Sequence, residues 1–375
     1  MRMRIPSWSL MPIALMMMVA LAIPSKSANK TKKQSPAAGQ PTGELVWPLP
    51  PDLPRVRWLG EFSKFKDVEP PKKEKKSWFE KMAGVKEKKE ENKGLTSPYG
   101  IAVDSEERIY VADWSSGGVL VFDRKGQTAR VLGSELRLLL RMPLGLAVDG
   151  QNRLFVSDGV LHTITCLTSE GQVLAQFGRD ELARPAGLAL DDQRHRLYVA
   201  DAKADHIAVF DTQSFEFRNY IGKKSTVSEP GTFRSPSGVA VDRQGNLYVT
   251  DTFNHRVQVF NPRGRFEREF GSHGNGAGQF SRPKGIAVDS EGHVYVADAE
   301  FNNFQVFDQE GKVLMFVGTL GTSRGQFTLI TDLFIDSADR IYTTERYQPR
   351  VQIFQYVHQD EEAVKKEVPR RRKKQ

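Results

Sequence analysis

Twelve acidic residues recur at regular intervals along the middle of the chain and are the first candidates for chemistry. A ring of carboxylates is typical of sites for hard cations such as Ca²⁺. An aspartate at a strand end also accepts hydrogen bonds from backbone N–H groups in the following turn. Because both acids occur in every copy of the pattern, we assign them to folding and expect a functional site where the copies differ. The two series are Asp104, Asp149, Asp191, Asp242, Asp289 and Asp336, and Asp113, Asp158, Asp201, Asp251, Asp298 and Glu345.

The seven histidines and the single cysteine form no known catalytic or metal-binding motif. His162, His206 and His255 follow a second-series acid by four or five residues, and Asn302 fills the same place in another copy. This pattern indicates a residue that stabilises a loop. Cys166 lies in a column of Val and Ile, which is typical of a core position. H-E-x-x-H, G-x-S-x-G and phosphate-loop motifs are absent from the sequence, so we predict no catalytic residue, no metal site and no cofactor.

The acids belong to a unit of about 45 residues that occurs six times. Each unit contains four short segments rich in β-branched and aromatic residues and bounded by Gly, Asp, Asn or Pro, which is the signal of β-strands. Four strands per unit, repeated six times, predict an all-β fold, a six-bladed β-propeller over residues 95–358. The units start with a Pro-x-Gly phrase at Pro98, Pro143, Pro185, Pro236 and Pro283, and with a degenerate phrase at Ile330.

The sixth unit lacks a fourth strand, because the chain becomes highly charged after residue 357. Residues 56–60, Val-Arg-Trp-Leu-Gly, match the fourth-strand pattern but precede the first unit. We therefore predict that residues 55–66 contain a strand that completes the last blade and closes the ring. Closure removes the open sheet edge that an incomplete blade would expose.

The remaining segments have the composition of extensions. Residues 1–27 combine a short basic start with an apolar run at 10–23, which is typical of a cleaved export signal, with an uncleaved anchor as the alternative. Residues 28–54 are predicted to be a disordered linker, and 359–375 a charged disordered tail. Residues 67–94 are predicted to be a charged helical insertion, which packs over the ring or lies on a membrane surface.

The net charge of +8 is concentrated in these extensions. Residues 1–27, 28–94 and 359–375 carry net charges of +3, +6 and +3, which leaves −4 for the body. A mildly acidic body argues against nucleic-acid binding. We predict an exported, monomeric protein in the periplasm or outside the cell, with a protein partner and no nucleic-acid partner.

The fourth unit resembles the NHL repeat, which is named after its Asn-His-Leu sequence. Its residues 247–260 read Leu-Tyr-Val-Thr-Asp-Thr-Phe-Asn-His-Arg-Val-Gln-Val-Phe. Six such units in register, with a Trp-bearing segment before the first, are similar to exported bacterial six-bladed NHL proteins. This resemblance implies a binding or scaffold role in the cell envelope, with a protein partner that can belong to a multihaem cytochrome system.

An enzyme is the alternative function. Gluconolactonase-like and amidating-lyase-like propellers share the fold and hold a metal ion in the central channel, so the alternative is a metal-dependent hydrolase or lyase. The residues that begin the first strands here include no carboxylate and no imidazole. They are Tyr99, Leu144, Ala186, Ser237, Lys284 and Thr331.

The loops after the second strands are the predicted binding site. They have similar lengths but different sequences, and aromatic and arginine side chains are frequent anchors of binding surfaces. We expect the aromatic rings to be partly exposed on one rim of the ring, the alternative being that they pack inward between blades. The candidate residues are Trp114, Phe253, His255, Arg256, Phe301, Arg346, Tyr347 and Arg350.

Overall fold

A computed structural model describes residues 44–49, 52–70, 93–132 and 139–358. The predicted export signal at 1–27, most of the linker at 28–54, most of the helical insertion at 67–94, and the tail at 359–375 lie outside the described residues. Within the described parts of the chain, no helix has the length and apolar composition needed to cross a lipid bilayer.

The chain forms six blades in sequence order. Two strands, β1 (Val46–Trp47) and β2 (Val56–Phe62), and a 3₁₀ helix (Phe65–Asp67) precede the first blade. Blade 1 contains β3 (Pro98–Val103), β4 (Arg108–Asp113), β5 (Gly118–Asp123) and β6 (Thr128–Leu132). Blade 2 contains β7 (Pro143–Val148), β8 (Leu154–Asp158), β9 (Thr163–Leu167) and β10 (Val173–Phe177).

Blade 3 contains β11 (Pro185–Asp191), a 3₁₀ helix (Asp192–Arg194), β12 (Arg196–Asp201), β13 (His206–Asp211) and β14 (Phe217–Ile221). A short parallel pair, β15 (Lys223–Lys224) and β16 (Thr232–Phe233), lies in the connector that follows. Blade 4 contains β17 (Pro236–Val241), β18 (Leu247–Asp251), a 3₁₀ helix (Thr252–Asn254), β19 (Arg256–Phe260) and β20 (Phe266–Phe270).

Blade 5 contains β21 (Pro283–Val288), β22 (Val294–Asp298), β23 (Asn303–Phe307) and β24 (Val313–Val317). Blade 6 contains β25 (Ile330–Ile335), β26 (Arg340–Glu345) and β27 (Arg350–Tyr356). Neighbouring strands within each blade are antiparallel, and each first strand contacts the first strand of the next blade. The prediction of an all-β, six-bladed propeller with four-stranded blades is confirmed.

The hydrophobic core is divided among the six junctions between blades. The second strand β22 is buried along its whole length, whereas the outer strand β24 alternates between half-buried and exposed residues and ends at buried Val317. Each junction of the described structure holds one cluster of buried side chains; that between blades 5 and 6, for example, contains Tyr295, Phe304 and Phe354. A single blade would leave both of its faces in water, so the blades stabilise one another.

The glycine of the Pro-x-Gly phrase permits the close approach of the first strands around the axis. A Cβ atom on Gly100 would lie 2.1 Å from the carbonyl oxygen of Leu144 in the next blade. On Gly238 it would lie 2.3 Å from the carbonyl oxygen of Lys284. A side chain at these positions would force the blades apart.

The ring is closed as the sequence predicts. β2 pairs antiparallel with β27, from Val56 opposite Tyr356 to Phe62 opposite Val351. The Trp58 indole N–H also donates to the Gln352 side-chain oxygen at 3.0 Å.

The extra edge strand β1 was not predicted. Residues 46–47 fall inside the predicted linker, but they pair with β2 and give the last blade a fifth strand. The Trp47 ring packs against Phe354, with 5.6 Å between the ring centroids, which explains why this short segment is ordered on the sheet.

Deleting residues 55–62 should destabilise the whole ring, because β27 would then present an unpaired edge and the Val56 side chain would leave the core. We expect a lower melting temperature and a smaller soluble fraction after size-exclusion chromatography. Leu59→Ser in the same strand is the matched control, since that side chain is 46% exposed and should tolerate the change. A soluble deletion variant with an unchanged melting temperature would disprove closure by β2.

Candidate binding face around the central channel

Two kinds of loop lie on the same side of the ring, which we call the rim face. Successive strands of a blade run in opposite directions, so the loop after each second strand lies beside the connector that leads into the first strand. The rim face therefore brings together the predicted binding residues and the residues that begin the first strands. The loops between first and second strands lie on the opposite face.

The second-series acids hold these two kinds of loop together. The Asp298 carboxylate accepts backbone N–H bonds from Ser281 at 2.7 Å and Arg282 at 3.0 Å in the connector. It also accepts from Glu300 and Phe301 in the loop, at 3.0 and 3.1 Å. The side chain is fully buried. Equivalent carboxylates bind the backbone of the connectors at Asp113, Asp158, Asp201, Asp251 and Glu345.

The first-series acids stabilise turns on the opposite face. Asp104 accepts from the Arg108 backbone N–H at 2.9 Å, from the Arg108 guanidinium at 2.6 Å and from the Tyr110 hydroxyl at 2.9 Å. The other blades use variants of this arrangement, for instance Asp289 with His293 and Tyr295. Both series therefore have the turn-stabilising role that the sequence predicts.

Two predicted binding residues, Arg256 and Arg350, are buried and do not belong to the accessible rim. Arg256 is 5% exposed, and its guanidinium bonds to Asp251 at 3.0 Å and Glu269 at 2.7 Å. Arg350 is 3% exposed and pairs with Glu345 and with Glu61. Each arginine begins a third strand directly opposite a second-strand acid, so its charge compensates a buried carboxylate. The expectation that these two side chains face a partner is wrong.

His255 links two blades. Its backbone is left-handed, with φ of 55°, and its Nδ1 atom lies 2.8 Å from the Ser281 carbonyl oxygen of the next connector. Asp205 and Asn302 occupy the same left-handed position in their blades, and their side chains accept backbone N–H bonds from the connectors that follow. The loop position is thus filled by Asp205 in blade 3, and not by His206 as the sequence suggests.

The four aromatic rings of the predicted site, the rim aromatics, are all at least partly exposed. The Tyr347 and Phe253 side chains are 77% and 49% exposed, and Trp114 and Phe301 are half-buried. They do not share one loop position, since Trp114 directly follows its acid whereas Phe301 is third after its acid.

One rim aromatic forms a cation–π pair across the closure of the ring. The Arg346 guanidinium of blade 6 lies 5.1 Å from the Trp114 ring centroid of blade 1. In blade 4, the Arg234 guanidinium lies 6.0 Å from the Phe253 ring centroid. These pairs place arginine and aromatic side chains together at the surface.

A positively charged group surrounds the mouth of the channel on the rim face. It consists of four side chains, the mouth cations: Arg184, Arg282, Lys284 and Arg346. Arg184 and Arg282 directly precede the prolines of blades 3 and 5, Lys284 directly follows the proline of blade 5, and Arg346 directly follows a second-strand acid. Across all six blades, these three positions hold four cations and no acid. Sequence reasoning missed the group because only carboxylates and imidazoles were sought at the first strands.

The mouth cations influence one another and Tyr99. Burial, together with the positive charges of Arg282 and Arg184, lowers the pKa of Lys284 to about 8. Burial likewise raises the pKa of the Tyr99 hydroxyl, which is therefore protonated at neutral pH. The charges of Arg184, Arg282 and Arg346 act on that hydroxyl. Residues from blades 1, 3, 5 and 6 thus meet in one electrostatic environment.

Below the mouth, the first strands enclose a cavity of about 210 Å³ on the ring axis. Aliphatic side chains from all six blades line most of it, for example Ile101, Leu188 and Ile286. The lining also contains two acids, Asp192 and Asp332, and Asp332 stands where the other five blades have the glycine of Pro-x-Gly.

Asp332 ties blade 6 to blade 1. Its carboxylate accepts N–H bonds from Leu333 at 2.9 Å and from Ile101 of blade 1 at 3.3 Å. Burial raises its pKa to about 7, although these hydrogen bonds act in the opposite direction. The sequence signal was the loss of glycine in the degenerate sixth phrase. Within the described residues, no group of three or more His, Cys, Asp or Glu side chains is placed to hold a metal ion.

Comparison with protein families finds the NHL repeat at residues 233–260 and 280–307. These segments hold the first three strands of blades 4 and 5. Protein brain tumor of Drosophila melanogaster is 52% identical over 44 residues, which are 12% of this chain and 4% of that protein. NHL repeat-containing protein 2 of Gallus gallus is 35% identical over 89 residues, or 21% of this chain and 12% of that protein. The chain thus matches only a small part of these relatives.

Solved structures share the fold at low sequence identity. A gluconolactonase, XC5397 of Xanthomonas campestris, superposes with a TM-score of 0.55 and 20% identity, covering 70% of this chain and 87% of that chain. Virginiamycin B lyase of Staphylococcus aureus gives a TM-score of 0.52 and 12% identity, covering 70% of this chain and 96% of that chain. At such identities, the likeness concerns the fold alone.

Asp332→Asn should make the protein more stable at pH 8. The raised pKa means that the folded state binds a proton that the unfolded state releases above about pH 4, so wild-type stability falls as pH rises from about 4 to 7. Asparagine removes this cost. We expect a gain of about 1 kcal/mol at pH 8, reduced by solvent in the channel, that disappears towards pH 4. Urea unfolding at both pH values measures it.

Asp211→Asn is the control of opposite sign. Backbone N–H bonds from Ser214, together with Arg218, lower the pKa of Asp211, so its contribution is present at neutral pH and is lost on acidification. The Asp211 variant should be less stable than wild type at pH 8. A change in the Asp332 variant that does not vary with pH would contradict the assignment.

Proposed function

We propose that this six-bladed β-propeller, which carries NHL repeats, is an exported, non-enzymatic binding protein that captures a protein partner with an acidic surface on its rim face. One observation carries the proposal. The recurring residues of each blade have folding partners, whereas the residues that differ between blades on the rim face include exposed aromatic and cationic side chains, among them Phe253, Tyr347 and Arg234.

The rim aromatics support a binding role because their exposure has no folding benefit. Tyr347 is 77% exposed, and Phe253 is 49% exposed, although both rings could bury a large apolar area against a partner. The backbone beneath them is fixed: the Phe253 and Tyr347 N–H groups donate to the carbonyl oxygens of Arg234 and Thr328. A rigid backbone reduces the entropy lost on association.

The charge of the channel mouth indicates the chemistry of the partner. The mouth cations stand on a body whose net charge is −4, so they are a local concentration of positive charge and not part of a uniformly basic protein. Such a patch favours and orients an acidic surface. Exposed arginines at 141 and 234, also on connectors of the rim face, extend it.

The cell envelope is the proposed place of action. This part of the proposal rests on the basic start and apolar run of residues 1–27 and on the resemblance to exported NHL proteins. That resemblance makes a component of a multihaem cytochrome system one candidate partner. Fractionation of the native cells, followed by affinity capture from the envelope fraction, would supply the partner for binding measurements.

Replacing Phe253 and Tyr347 together by Ala should weaken binding of the purified partner by about 2 kcal/mol, because exposed aromatic anchors carry much of the energy of an interface. Isothermal titration calorimetry measures the change, and the melting temperature should stay within about 2 °C of wild type. Leu314→Ala with Phe316→Ala is the matched control, since these side chains are 50% and 45% exposed on an outer strand. Equal losses in both double variants, or wild-type affinity in the rim variant, would contradict the proposal.

A further inference from the structure

The mouth cations have no counter-charge among the described residues. The side chains of Arg184, Arg282 and Lys284 make no ion pair or hydrogen bond there, and Arg346 contacts only the Trp114 ring. Arg184 and Arg282 are exposed, whereas Arg346 is half-buried. Lys284 is half-buried, and an unpaired charge in that position costs solvation energy. The charge of Lys284 therefore has no stabilising partner among the described residues.

The hydroxyl of Tyr99 completes the group. Tyr99 is the second residue of the first strand of blade 1, and its side chain is half-buried at the mouth. Its hydroxyl has no hydrogen-bond partner within the described residues and is protonated at neutral pH, so it can donate a hydrogen bond. The negative charge of Asp332 and the positive charges of Arg184, Arg282 and Arg346 act on it.

Rigid backbone contacts fix these side chains at their bases. The Arg184 backbone N–H donates to Asp201 at 3.0 Å, and the Arg282 backbone N–H donates to Asp298 at 3.0 Å. The Thr344 hydroxyl donates to the Tyr99 carbonyl oxygen at 2.6 Å. Donors held in place before a ligand arrives bind it at a smaller entropy cost.

We propose that the channel mouth is an oxyanion-binding site, which takes the carboxylate or phosphate groups of a multiply charged anion. The guanidinium groups of Arg184 and Arg282 can each bind an oxyanion in a bidentate manner. The Lys284 ammonium adds a point charge, and the hydroxyl of Tyr99 adds a neutral donor. The ligand would also relieve the repulsion between Arg282, Arg184 and Lys284. Asp332, the one acid that acts on Tyr99, lies deeper at the glycine position and leaves the mouth to the donors.

This inference goes beyond the protein partner proposed above, because it names the chemical group that the channel mouth binds. A free small anion and the acidic side chains of a protein both offer such oxyanions. Citrate and inorganic phosphate represent the free anion, and an acetylated hexaglutamate peptide represents the protein segment. Binding of citrate or phosphate would identify a small anion as the ligand, and binding of the peptide alone would identify carboxylates of a protein. Either supports the site if it depends on the mouth cations.

The test is isothermal titration calorimetry of the full chain with each probe at fixed ionic strength and pH 7. Arg184→Gln with Arg282→Gln should weaken binding at least 10-fold, and Tyr99→Phe should weaken it several-fold without changing the shape of the side chain. Arg243→Gln with Arg263→Gln is the matched control, because it removes the same charge from exposed residues of the opposite face.

The control should bind the probes as wild type does. Absence of binding by all three probes, or equal losses in the two double variants, would overturn the site. Either result would remove the argument for an acidic partner surface but not the binding role of the rim aromatics, which is measured separately. Conversely, a rim variant with wild-type partner affinity would leave the oxyanion site standing.

Discussion

The structure depends on one buried carboxylate in each blade, which joins the connector before the first strand to the loop after the second. The Asp298 carboxylate accepts four backbone N–H bonds in this way while fully buried. Without it, those donors would lose their partners at a cost of about 1–3 kcal/mol each. In blades 1, 2, 3 and 5 the carboxylate binds only backbone N–H groups, so the side chains of both loops are free to differ there. In blades 4 and 6, Asp251 and Glu345 also bind the side chains of Arg256 and Arg350. The same constraint therefore gives the rim face a fixed backbone and a variable surface.

The asymmetry of the ring is concentrated where its ends meet. β2 completes blade 6, Asp332 replaces the glycine of the repeat and bonds to Ile101 of blade 1, and Arg346 packs over Trp114 across the same closure. The mouth cations add a second departure from the repeat at blades 3 and 5. Features common to all six blades explain the fold, whereas these departures supply the charge and the aromatic surface from which we infer binding.

The repeat made most of the fold predictable from sequence, since period, turn acids and strand composition agree in every unit. The closing strand could be found because residues 56–60 match a pattern that blade 6 lacks. The sequence does not show whether Arg256 and Arg350 lie in a loop or begin a strand. Only the strand pairing places them opposite Asp251 and Glu345. Strand β1 has two residues, too few to show the residue pattern from which the other strands were predicted. The mouth cations belong to separate blades, and only the closed ring brings them together.

Site-specific photo-crosslinking in the native cells tests most directly whether the rim face is the binding surface. A benzophenone amino acid replaces Tyr347 on the rim face in one protein and exposed Arg263 on the opposite face in another. The account predicts one dominant crosslinked protein from position 347, identified by mass spectrometry, and little from position 263. The same protein crosslinked equally from both positions, or only from position 263, would contradict it.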